Sequence, residues 1–246
     1  MPNVLDVLLV VVFAVVLPMW SHFISWPRHV RAVDAGDLGA RSRIYARTVV
    51  EEWALVAAAV TLFVIGRRSL TSLWLGGALD GRVWIGLAVP ALYGALVLVQ
   101  GRALAAKPAA LARLRDKMQP LRALIPHTAG ELRLFSLLSV TAGICEEFLF
   151  RGYLVWVLRS FVGLYPAAIT SMVVFGLAHG YQGGKFGMRA FFVGVAHGVL
   201  ALATRSLIPG MVLHAAIDLG SGWITYMAMS QGGEPVAAKV PNGAAA

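Results

Sequence analysis

The stretch Leu132–Leu158, LRLFSLLSVTAGICEEFLFRGYLVWVL, is apolar toward both ends and holds Glu146, Glu147 and Arg151 in its middle. An α-helix needs about 20 apolar residues to cross ~30 Å of hydrocarbon. This block is longer than one crossing requires, so it is expected to be tilted, kinked or partly outside the bilayer. Similar apolar blocks recur on both sides of it, at Val4–Trp20, Val49–Gly66, Val83–Gly101, Leu164–Gly180, Met188–Thr204 and Leu207–Met229. Together they predict an all-α, polytopic transmembrane helical bundle of about seven spans, six to eight allowing for boundary error.

Composition supports that class. The chain is 59% hydrophobic and 13% charged, against about 25% charged residues in a soluble domain. The first block lacks a basic leader and a small-residue cleavage site, so it is expected to be a retained helix. The tail from Gln231 is rich in Gly, Pro and Ala and is expected to be disordered. The organisation expected is N-terminal helices with basic loops over 1–131, a catalytic core over 132–229 and a tail over 230–246. Residues 1–229 would form one integral membrane domain.

The net charge is +9. Arg28, Arg31, Arg41, Arg43 and Arg47 fall in the first predicted loop. Arg102, Lys107, Arg113, Arg115, Lys117 and Arg122 fall in the third, with Arg133 close behind, while the second holds Arg67, Arg68 and Arg82. An excess of Lys and Arg marks cytoplasmic loops, so loops one and three are expected inside, with the N-terminus outside and the C-terminus cytoplasmic. The basic charge thus reads as orientation against anionic lipid rather than as a nucleic-acid surface. The single cysteine, Cys145, excludes a disulfide or thiolate cage within the chain. In an apolar helix it reads as a small core residue.

Ionisable side chains at membrane depth are costly and usually face a bundle interior, where they mark a site. Glu147 and Arg151 are four apart, acid before base, and are expected to pair on one helix face. Glu146 lies about 100° away around the helix, so it is left free for general-base work. His179 ends the fifth predicted span. His214 and Asp218 share a face of the last, where a carboxylate can orient an imidazole. His197 has no polar neighbour four residues away and reads as structural. Glu51 and Glu52 open the second predicted span and read as interfacial, and Ser221, in a Gly cluster, reads as structural.

These residues fall into three linked motifs. EEFLFR, Glu146–Arg151, has the form E-E-x-x-x-R; FGLAH, Phe175–His179, has the form F-x-x-x-H; HAAID, His214–Asp218, has the form H-x-x-x-[ND]. Their order and separation resemble the CPBP family, the CaaX-protease and bacteriocin-processing (Abi) intramembrane proteases, from about Leu132 to Met229. The resemblance implies a helical core around a conical, water-accessible cavity and peptide-bond hydrolysis near the membrane surface. It implies that Glu146 and His179 activate water and that His214 and Asp218 line the oxyanion position. Glu147, Arg151 and Phe175 would support the site.

Two chemistries stay open under that resemblance. A glutamate-type protease needs no cofactor; a metalloprotease would hold zinc through His179, His214 and Glu146. The chain has no H-E-x-x-H pair, which favours the glutamate type. Asp218 stands where the family also uses Asn, and an ionised carboxylate would repel an oxyanion. The expected partners are membrane lipids and a peptide or C-terminal-tail substrate, in a bacterial inner membrane. The alternatives are a non-catalytic membrane partner or immunity protein of the same fold, or a proton-coupled transporter using the same buried acids and histidines.

Overall fold

A computed structural model describes residues 1–75 and 79–230; the expected disordered tail lies outside the described residues. The described secondary structure is helical throughout, with no strand. Four helices are long and apolar enough to cross a membrane: α1, Val4–Asp34; α2, Ala40–Ile65; α3, Gly81–Ala105; and α8, Gly184–Thr204. Large apolar side chains cover their outer faces, among them Leu8, Val64, Ile85, Leu92 and Val199, all exposed on the protein alone. In water such a surface would be unfavourable; in lipid it is the expected one. The protein is an integral membrane protein.

The other expected spans are helical as well. They comprise α5, Ala129–Glu146, running through a π-helical segment Glu147–Leu154 into α6, Val155–Val162; then α7, Leu164–Ala178, and α9, Ile208–Ser230. At 15 residues α7 is about 22 Å long, short of a full crossing. The α5–α6 rod carries Glu131, Glu147 and Arg151 buried, so protein rather than lipid surrounds its middle.

The N-terminal helix does not end at Trp20 as expected but continues to Asp34. It passes two prolines on the way. Pro18 and Pro27 each lie two residues beyond the end of a π-helical segment, Val12–Val16 and Ser21–Ser25. The wider turn accommodates a ring that would otherwise clash with the carbonyl one turn back. Arg28 and Arg31 are therefore on α1, and Arg41, Arg43 and Arg47 open α2. The basic third loop is itself partly helical, as α4, Pro108–Met118.

Capping boxes set two starts, Asn3 with Asp6 on α1 and Thr128 with Glu131 on α5. Both capping acids are buried and bind an arginine. Asp6 takes Arg68 Nη1 at 2.8 Å and the Tyr153 hydroxyl at 2.7 Å, and Glu131 takes Arg41 Nε at 2.8 Å. In the interior α5 lies between α2 and α9, α3 packs outside α9, and α7 packs on α6 and α8. Gly143 lets α5 and α9 approach: a Cβ there would stand 2.8 Å from Ala215 N and from Met211 O. That close crossing sets the glutamates of α5 against His214.

Candidate active site

The α-helix gives way to a π-helical turn at Glu147, the second residue of E-E-x-x-x-R. Such turns recur at functional sites because they redirect consecutive side chains. Here Glu147 points into the protein and is fully buried, whereas Glu146 borders a cavity of ≈ 800 Å³.

Glu147 is the hub of a dry ion-pair network. Its Oε1 lies 3.1 Å from Arg151 Nη1 and accepts from it, 3.0 Å from His214 Nδ1 and 3.0 Å from His197 Nδ1. Arg151 also donates to the Gly194 carbonyl at 3.0 Å, and its guanidinium sits 4.0 Å over the Phe175 ring. Phe175 in turn meets His179, ring centroids 4.5 Å apart, and His214 edge-on at 5.9 Å. The sequence-predicted brace of Glu147 and Arg151 is present, and it extends over two histidines and an aromatic wall.

The cavity side is built around Glu146. Its Oε2 has no hydrogen-bond partner and lies 3.9 Å from His179 Nε2 and 3.8 Å from His214 Nε2. These gaps exceed a direct hydrogen bond and are short enough for one oxygen atom to bridge. His179 Nδ1 is 2.8 Å from the Phe175 carbonyl. A carbonyl only accepts, so Nδ1 carries the proton and Nε2 presents its lone pair to the cavity.

Asp218 approaches His214 from the other side of the ring. It lies 3.7 Å from His214 Nε2, the nitrogen that faces the cavity, while Glu147 holds Nδ1. Glu147 therefore holds the ring through its Nδ1–H, and Asp218 stands at the half-open rim.

The fold gives two residues surroundings that the sequence did not show. His197, read as structural, is fully buried 3.0 Å from Glu147, close without hydrogen-bond alignment. Its partner comes from another helix, which spacing within one helix cannot reveal. Glu52, read as interfacial, is buried on α2 and lines the same cavity as Glu146. The helix begins twelve residues before it, at Ala40, so Glu52 is well inside rather than at the opening.

The metal sets can be tested on geometry. Among the described residues, Glu147, His197 and His214 form the one group of three whose ligand atoms lie within 4.8 Å of one another. Arg151 already shares that carboxylate oxygen, and a dication would sit against a guanidinium. Glu146, His179 and His214 are not such a group, although ligand atoms ~2.1 Å from zinc cannot be more than about 4.2 Å apart. The Glu146 set is thus spaced too widely for one zinc shell as placed, and in the Glu147 set a guanidinium already occupies one carboxylate oxygen.

Residues 128–220 match the family model for type II CAAX prenyl endopeptidase Rce1-like proteins. This segment is Rce1-like. It contains all three motifs, together with His197, and excludes Glu52. No curated protein and no solved structure matches the chain.

Proposed function

We propose that the protein is an intramembrane endopeptidase of the glutamate type that trims C-terminal tails or membrane-associated peptides. The observation that carries this reading is the unpartnered Glu146 Oε2 between two imidazole Nε2 atoms at the cavity. A water placed there donates one hydrogen to Glu146 and the other to His179 Nε2, which leaves an oxygen lone pair for the substrate carbonyl. Glu146 takes the proton as the tetrahedral intermediate forms. As an imidazolium, with its Nδ1–H on Glu147, His214 turns its Nε2–H to the developing oxyanion from the α9 side, and Asp218 lies at the rim. Glu147 and Arg151 touch no reacting atom in this scheme; they hold His214.

The cavity suits such a substrate. Its walls combine apolar side chains such as Leu17, Leu55, Leu114 and Ile224 with the acids and histidines of the site. An extended tail can lie along apolar wall and present one peptide bond to Glu146. The catalytic core in this reading is 132–229, completed by α2 and α3, in a bacterial inner membrane with the C-terminus cytoplasmic.

The test is reconstitution in lipid vesicles with a tail peptide. Glu146→Gln, His179→Ala and His214→Ala are each expected to lower kcat by at least ~10²-fold, with unchanged melting. Wild-type rates in all three would overturn the assignment. A chelator is expected to leave the wild-type rate unchanged, with no stoichiometric metal in the purified protein; loss of activity restored by zinc would replace the glutamate scheme.

A further inference from the structure

Glu52 is a buried acid to which the scheme above gives no task. The inward face of α2 reads Tyr45, Glu52, Val56, Ala59, Phe63, all buried, at the three-, four- and seven-residue steps of one helical stripe. Packing alone would place an apolar side chain at the second of these positions. Instead a carboxyl stands there, 9% exposed, with no partner for its Oε2. Glu146 Oε2 is unpartnered too, and both carboxyls line the wall of one cavity. Next along α2, Trp53 Nε1 donates to Thr141 Oγ1 of α5 at 3.3 Å, which fixes the rotation of α2 and keeps Glu52 turned inward.

We propose that Glu52 is a catalytic residue that serves the leaving nitrogen of the scissile amide, a role that rests on the peptidase reading above. Water attacks the carbonyl carbon and one of its protons passes to Glu146. When the C–N bond breaks, its electron pair stays on nitrogen, which takes one proton from the facing carboxyls through Glu52. One proton enters the carboxyl pair and one leaves, so the pair ends as it began and one water is consumed. An amide nitrogen leaves poorly without that proton, whereas a thiolate leaves unprotonated. A second acid beside the base therefore matters for amides and not for thioesters.

That difference is the test. One tail peptide is made twice, with the scissile bond as amide or as thioester, and both are given to vesicle-reconstituted wild type, Glu52→Gln, Glu52→Asp and Glu146→Gln. Glu52→Gln is expected to lose about 10²-fold in kcat on the amide and to cleave the thioester at close to the wild-type rate, which also reports that it is folded. Glu52→Asp, which keeps a carboxyl, recovers part of the amide rate. Equal losses on both substrates, or undiminished amide cleavage by Glu52→Gln, would overturn the role. Should Glu52→Gln fail to melt cooperatively, the amide-to-thioester ratio of Glu52→Asp decides: a ratio below wild type supports the role and an unchanged ratio overturns it. Glu146→Gln is expected to lose both activities; if it keeps both, the peptidase assignment itself fails, separately from Glu52.

Discussion

Glu147 Oε1 has three positively charged or ionisable neighbours within 3.1 Å, from three helical segments. Taking a carboxylate out of water is costly unless it is paired, and removing one partner of a buried pair leaves the other charge uncompensated. Arg151→Met is therefore expected to destabilise the protein by about 3–5 kcal/mol, read as a lower melting temperature in detergent. The double variant Glu147→Gln/Arg151→Met, which removes both charges, should regain part of that loss. It should not regain activity, because a neutral amide replaces the carboxylate that holds the Nδ1–H of His214. Recovery of both stability and rate would mean that Glu147 is a packing group and nothing more. This pair was legible in the sequence because its members are four residues apart on one helix. Their histidine neighbours were not, since His197 and His214 reach Glu147 from α8 and α9, and only the fold brings those helices to α5.

The elements show the same division. Apolar runs of spanning length located every helix except α4, because lipid demands length and hydrophobicity and both are local. Continuity through Pro18 and Pro27 was hidden, because the π-helical turns that admit the prolines have no residue signature of their own. The depth of Glu52 was hidden likewise, as Arg41, Arg43 and Arg47 made the start of α2 look like loop. What positions the site is the α5–α9 crossing at Gly143, where an added Cβ would meet backbone atoms of α9. Overpacking of this kind typically costs 1–3 kcal/mol, and backbone atoms cannot rotate away. Gly143→Ala is expected to part the helices, moving Glu146 away from His214 and lowering kcat more than it raises KM. Gly94→Ala on α3, where a Cβ would meet nothing within 4 Å, is the control and should leave both unchanged. If the two variants behave alike, the crossing does not govern the site.

At the scale of the whole molecule, the two basic loops converge on one end. Arg122 pairs with Asp34 at 2.7 Å, His29 Nε2 contacts the Ala123 carbonyl at 2.8 Å, and Arg115 donates to the Ala228 carbonyl near the end of α9. Arg67 and Arg68 lie at the other end, where Arg68 binds Asp6 beside the N-terminus. Positive charge on one side of a bilayer marks the cytoplasmic face, so the expected topology has the N-terminus outside and the end of α9 inside. The cavity reaches Leu114, Met118 and Leu124 at the basic end, so the proposed peptidase is expected to take substrate tails from the cytoplasmic side. The single native cysteine, Cys145, is fully buried, so introduced cysteines can report orientation without interference. In sealed right-side-out vesicles, a cysteine replacing Ser72, on the Arg68 side, should react with a membrane-impermeant maleimide. One replacing Arg113 should react only after the vesicles are opened. Labelling in the reverse order would invert the topology and move the proposed cleavage to the outer face. It would leave the geometry of Glu146, His179 and Glu52 untouched, because that geometry is set by helix contacts rather than by the side on which they insert.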